Sequence, residues 1–220
     1  MSTTASPSSS IDASSPFLLR FFSLTHHSPD PSNRTLPQIL AWPDTRLESS
    51  HDYIQLLFPL PEHSAFASVP IVTQQIAEAF AASDELRVEL GRAFGRMMVF
   101  YGLKVIVSST GTTVVTATER VHTSPSRWLS RFNHNHLRIT RIIRSLRVLG
   151  CGDEAAAFWR FLLESDDVKK AVSARSLMYW KRAAERELHL PPDEDDDEAE
   201  GVKWLRDWKV GVSGVKKVQS

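Results

Sequence analysis

The chain has 220 residues, 42% hydrophobic and 24% charged, which is enough for one domain with a sizeable core and argues against two. Lys+Arg and Asp+Glu balance at 26 each, so the overall charge excludes a general electrostatic pull toward nucleic acid or an acidic membrane surface. A single cysteine, Cys151, excludes an intrachain disulfide and a thiolate-cluster metal site, and it fits a reducing compartment.

Residues 1–16, "MSTTASPSSSIDASSP", are too poor in apolar surface to offset the entropy of ordering and read as a disordered tail; they also lack the basic start and apolar core of a secretory signal. "FLLRFFSL" (17–24) puts Phe17, Leu18, Phe21 and Phe22 on a short helix that must pack back on the body. Arg20 interrupts it, and no stretch reaches the roughly 18 uncharged apolar residues of a membrane span. "THHSPDPSNR" (25–34) is a loop. From Ser49 a helix of about ten residues is expected, capped by Ser49 or Ser50, with Ile54, Leu57 and Phe58 on one face and Pro59 and Pro61 as stops. Thr73 and Ser83 are N-caps of two further helices, the second carrying Leu86, Leu90, Ala93, Met97 and Phe100 or Tyr101 at core spacing and ending at a left-handed Gly102.

"LKVIVSSTGTTVVTAT" (103–118) places β-branched residues on both sides of Thr110-Gly111 and reads as the one small hairpin. Ser124-Pro125 then looks like a cap and first helical position, with helix running through "SRWLSRF" and on to Gly150 and Gly152. Two more helices are expected, over "DEAAAFWRFLLES" (153–165) and "ARSLMYWKRAAERELHL" (174–190). The seven carboxylates of "DEDDDEAE" (193–200) form an acidic linker before a basic, Trp-containing tail. The fold class is therefore mostly α: a single helical domain at 35–190 with one β-hairpin, a loosely packed segment at 1–34, and the linker and tail at 191–220.

Two segments concentrate functional side chains. In 133–150, Ile139, Ile142, Ile143, Leu146 and Leu149 form a core stripe, while His134, Arg138, Arg141 and Ser145 share another face. The plain reading of that face is a solvated or ion-paired surface; the functional reading is that Arg138 and Arg141 offer donor forks to a carboxylate or phosphate, with His134 orienting the same ligand. In "WPDTRLESSHDYIQLLFPL" (42–60), Glu48, His51, Asp52 and Gln55 either cap and pin the loop or supply acid–base chemistry. No Gly-rich phosphate loop, G-x-S-x-G or H-E-x-x-H motif occurs, so no cofactor and no metal are expected. The seven arginines from Arg120 to Arg147 lack the paired aromatic platforms of a nucleic-acid reader, and no nucleic-acid partner is expected.

"LESSHDYIQLLFPLPEHSAFA" (47–67), "MVFYGLKV" (98–105) and "HNHLRITRIIRSLRVLG" (134–150), in that order, resemble the conserved region of the opioid growth factor receptor family over about residues 35–165. The chain departs from it at Leu56, where the family usually has Trp, and at Ala67, where it has Asn. The resemblance implies a helical, receptor-like domain for a short enkephalin-type peptide that restrains proliferation, in the cytoplasm or nucleus, with peripheral rather than spanning membrane association.

The expected site is a ligand-binding cleft in which His51, Asp52, Tyr53 and Gln55 face His134, Asn135, Arg138 and Arg141. The arginines would hold the anionic end of a peptide or small ligand, and Trp42, Tyr53 and Trp128 would supply aromatic walls. A competing reading is a small-metabolite enzyme with His51 or His134 as general acid–base beside the same arginines. A third is an interaction scaffold whose arginine block meets an acidic partner, such as its own 193–200 segment.

Overall fold

A computed structural model describes residues 11–62 and 70–208 of the chain. The first ten residues of the expected tail, Ala67 with its neighbours, and the basic stretch from 209 onward lie outside it. Residues 11–16 make an Asx turn, in which Asp12 Oδ1 accepts the amides of Ser14 and Ser15, and lead into α1 (Phe17–Phe22). Leu18, Leu19, Phe21 and Phe22 are buried there, and Phe22 meets Phe80 edge to face at 5.3 Å, so α1 is part of the core as its apolar face requires.

Three short helices follow: α2 (Leu36–Leu40), closed by a capping box between Thr35 and Gln38, α3 (Asp44–Ser49) and α4 (Ile54–Leu57). Of the ten-residue helix expected from Ser49, only Ile54–Leu57 forms as α4; Ser49 is the last residue of the preceding helix α3, and Ser50 ends α3 instead of starting the next helix. The break has a cause outside the segment, since Arg138 takes the carbonyls of Leu47 and Ser50 and so terminates α3. α5 (Gln74–Ala82) and α6 (Asp84–Phe100) are capped by Thr73 and Ser83 as their sequence indicates, and Gly102 stops α6 with φ of 74°.

β1 (Leu103–Val107) and β2 (Thr113–Ala117) pair antiparallel, with Val105 opposite Val115 and Gly111 at φ 81° in the turn. Residues 124–134 are not helical, contrary to the Ser-Pro signal. Ser124 donates to the Phe100 carbonyl and Trp128 Nε1 to that of Tyr101 at 2.9 Å, which pins the segment as a loop under the α6–β1 corner. α7 (Asn135–Val148) therefore starts at Asn135.

α8 (Gly152–Glu164), α9 (Asp166–Ala171), α10 (Ala174–Glu185) and α11 (Lys203–Arg206) complete the described residues. α10 ends at Glu185, five residues before the expected end, because Arg147 bonds the carbonyls of Ala183 and Arg186. α7 packs against α8 and α10, α8 reaches β2, and α6 joins β1 to α5 and α1. One contiguous cluster runs through all these contacts.

Candidate functional site

The Ile139, Ile142, Ile143 and Leu146 stripe of α7 is fully buried, as its spacing indicates. The polar face is only partly wet: His134 and Leu137 are exposed, but much of the rest is buried. Arg138 is 5% exposed, Arg144 1%, and Asn135 and Ser145 are buried as well. What lets charged groups sit there is a set of carbonyls that would otherwise be unpaired at helix ends. Arg138 donates to Leu47 O at 3.0 Å, Ser50 O at 2.6 Å and Asn135 Oδ1 at 3.0 Å, and its guanidinium lies 5.4 Å from the Tyr53 ring centre. Asn135 Nδ2 in turn donates to Glu48 Oε2 and to Ser126 O, each at 3.0 Å.

The two segments singled out in the sequence thus meet, in direct contact. Tyr53 is fully buried with its hydroxyl 3.9 Å from Met97 Sδ, and burial pushes its pKa up to about 12. Gln55 is buried, with its amide oriented to donate to the His51 and Asp52 carbonyls at 3.1 and 2.9 Å. Asp52 stands at the surface on Arg34, whose hydrogen bond holds its carboxyl below the usual range. His51 meets the His134 ring edge-on at 5.7 Å, and His134 Nε2 lies 3.3 Å from Glu48 Oε1, the histidine–carboxylate contact that acid–base chemistry requires. Trp42 and Trp128 are core residues; Arg46 stacks on Trp42 at 3.9 Å.

The open space lies on the other side of α7. A groove of about 830 Å³ runs between α7, the start of α10 and the Leu60–Glu62 segment. Of the eight residues expected to bind, His134 and Arg141 line it. Arg141 donates from Nη1 to Phe58 O at 3.1 Å, and burial lowers its pKa. Leu60, Phe132, Leu137 and Tyr179 form apolar walls, Arg144 and Arg175 add two further guanidiniums, and Glu62, paired with Arg144, and Asp193 add acidic groups. His136 and Ser176 lie on its floor, with His136 Nδ1 2.8 Å from Ser176 Oγ.

Sequence reasoning passed over most of these groups. A signal was available for two of them: Leu137 interrupts the polar face of α7 and Phe132 sits outside any core stripe, and each is 72% exposed at the groove. The acidic segment also lies nearby. Arg182 bonds Asp195, and Arg186 bonds Asp197 and the Glu194 carbonyl, so the partners of 194–197 are on α10 rather than on the arginine face of α7.

Comparison with known proteins gives a consistent picture. Opioid growth factor receptor of Mus musculus is 40% identical over 120 residues, covering 54% of this chain and 18% of that protein. The Homo sapiens receptor is 37% identical over 124 residues, or 56% of this chain and 18% of its own. Opioid growth factor receptor-like protein 1 of Mus musculus is 32% identical over 134 residues, 58% of this chain and 26% of its own. The shared region is therefore about a fifth to a quarter of those relatives' length. No solved structure matches. The model of the opioid growth factor receptor conserved region matches residues 17–187, from α1 through the end of α10, and the chain belongs to that family.

Proposed function

We propose that this chain is a receptor-like binding module that takes a short peptide, or another small ligand with an anionic group, in the groove beside α7. The observation that carries the reading is the contrast between two arginines one helical turn apart. Arg138 is committed to the backbone carbonyls of Leu47 and Ser50 and to the Asn135 side chain, whereas Arg141 uses one bond, to Phe58 O, among the described residues, and lines the groove with donors of its fork to spare. Around it, Leu137, Phe132, Leu60 and Tyr179 supply the apolar contact a peptide side chain needs, and the volume lies within the usual range for small-ligand sites. Asp193 suits a cationic end of the same ligand, while Glu62 is held by Arg144. His51, Tyr53, Asn135 and Arg138 serve the site by fixing α3 and α4 against α7, while Gln55 pins the His51–Asp52 turn and Asp52 holds Arg34.

The relatives are named as receptors for an opioid growth factor, so an enkephalin-type peptide is the first ligand to test, with growth restraint as the biological output. The protein acts inside the cell, in cytoplasm or nucleus. Its contact with membranes is peripheral; no helix among the described residues is long and apolar enough to cross one. The test is a thermal-shift screen of the full chain against enkephalin-type peptides and anionic metabolites, with Arg141→Ala as the control. A stabilising ligand whose effect disappears in Arg141→Ala is expected. A ligand that shifts both proteins equally removes the site from this groove, and a screen without hits overturns the receptor reading.

A further inference from the structure

We propose that Ser176 and His136 form a nucleophile–base dyad that cleaves carboxylic esters in the groove, an activity that rests on the groove being a ligand site. His136 Nε2 is 2.8 Å from the Trp128 carbonyl, which can only accept, so Nε2 carries the hydrogen and Nδ1 presents its lone pair. That lone pair is 2.8 Å from Ser176 Oγ. The ring is further held by its edge-on contact with Trp180 at 5.3 Å, and its backbone by the Trp180 Nε1 bond to the His136 carbonyl at 3.0 Å. Burial favours the neutral imidazole, the form that accepts a proton. A hydroxyl on a base, a base on an orienting acceptor, and both facing one groove are the parts of an activated serine.

In the reaction the Ser176 Oγ–H proton passes to His136 Nδ1 as Oγ bonds to the ester carbonyl carbon, and the carbonyl π pair moves onto oxygen. The oxyanion would be met by donors that line the same groove, Arg141 and the first-turn amide of Arg175, which is left free because Ser173 accepts from Ser176 N and Leu177 N. Collapse breaks the bond to the alcohol oxygen, which takes the proton from Nδ1. Water then attacks the acyl-serine, gives a proton to Nδ1, and releases the acid as the proton returns to Oγ. The orienting group is a carbonyl and not a carboxylate, so it supports the imidazolium less, and the dyad is suited to esters more than to amides. Leu60, Phe132, Leu137 and Tyr179 would receive an apolar acyl chain.

The test treats the full chain with a fluorophosphonate probe and with p-nitrophenyl butyrate. One adduct per chain is expected on the tryptic peptide beginning at Ser176, absent from Ser176→Ala, with ester turnover lowered about 100-fold or more in His136→Gln. Because His136 is buried, Ser176→Cys gives an independent reading: a thiol on the same base should react with iodoacetamide faster than free cysteine at the same pH. No adduct at Ser176, or undiminished turnover in Ser176→Ala, overturns the dyad, as does a Ser176→Cys thiol no faster than free cysteine. A peptide found in the thermal-shift screen should protect Ser176 from the probe. Labelling that such a peptide does not slow leaves the dyad standing and removes the peptide reading from this groove.

Discussion

Arg138 and Arg141 show how one residue type at one helical spacing takes two roles. Arg138 satisfies carbonyls at the end of α3 that have no other described side-chain partner, so removing it leaves buried acceptors unpaired. Arg138→Met should lower the unfolding free energy by about 2–4 kcal/mol, and Arg141→Ala by about 1 kcal/mol or less. Urea unfolding of both variants checks this, and equal losses would remove the distinction on which the binding site rests. His136 gives a pH signature. Its folded pKa lies below the ordinary 6.5 because burial disfavours the charged ring, so the unfolded chain binds the proton first as pH falls. The stability contributed by the neutral ring is complete above about pH 6.5 and is lost as pH falls toward the lower folded value. His136→Gln should flatten the fall in melting temperature on acidification relative to the parent; parallel curves would show that this ring is not responsible.

The boundaries of α5, α6, α9 and α10 follow from hydroxyls that accept from the third residue on: Thr73, Ser83, Ser165 and Ser173. The caps at Thr73 and Ser83 were read from the sequence, because donor and acceptor are close in the chain; those at Ser165 and Ser173 carry the same local signal and were passed over. Gly102 is legible for a related reason, and its constraint is stronger than a stop signal. A Cβ there would sit 2.6 Å from Val121 Cα and 2.7 Å from the Arg120 carbonyl carbon, with φ at 74°. Gly91, within α6, has open space around its would-be Cβ and a helical backbone. Gly102→Ala should cost about 2 kcal/mol or more, whereas Gly91→Ala should gain about 0.5–1 kcal/mol from helix propensity. Calorimetric melting of the two variants would show shifts of opposite sign; a tolerated Gly102→Ala would mean that the α6–β1 corner adapts. The α3–α4 break and the irregular 124–134 segment were not legible. Their partners, Arg138 and the Phe100 and Tyr101 carbonyls, lie far off in the chain, while the local Ser and Pro signals fit helix equally well.

Across the molecule, arginines close helix ends: Arg96 on α2, Arg138 on α3, Arg141 on α4, Arg87 on α5 and Arg147 on α10. Burial pulls the pKa of Arg147 down to about 10, with Arg144 adding to the effect, yet its carbonyl partners keep it in place. The acidic segment is tied down in the same manner, with Arg186 reaching the carbonyls of Pro191, Glu194 and Asp196 as well as Asp197. Arg186→Ala should open residues 193–200 to a glutamate-specific protease and lower the melting temperature as well, because the side chain is largely buried and its loss leaves the carbonyls of Pro191, Glu194 and Asp196 without it; an unchanged digestion pattern would show that Arg182 suffices. The helical class, the hairpin, the α7 core stripe and the stops and caps at Thr73, Ser83 and Gly102 were readable from residues alone, because each depends on periodicity or on groups within a few positions of one another. Which arginine is a structural cap and which faces open space was decided only in three dimensions. Arg138 and Leu47 are 91 residues apart, His136 and Ser176 are 40 apart, and a guanidinium or a hydroxyl takes its role from the acceptor that folding brings to it.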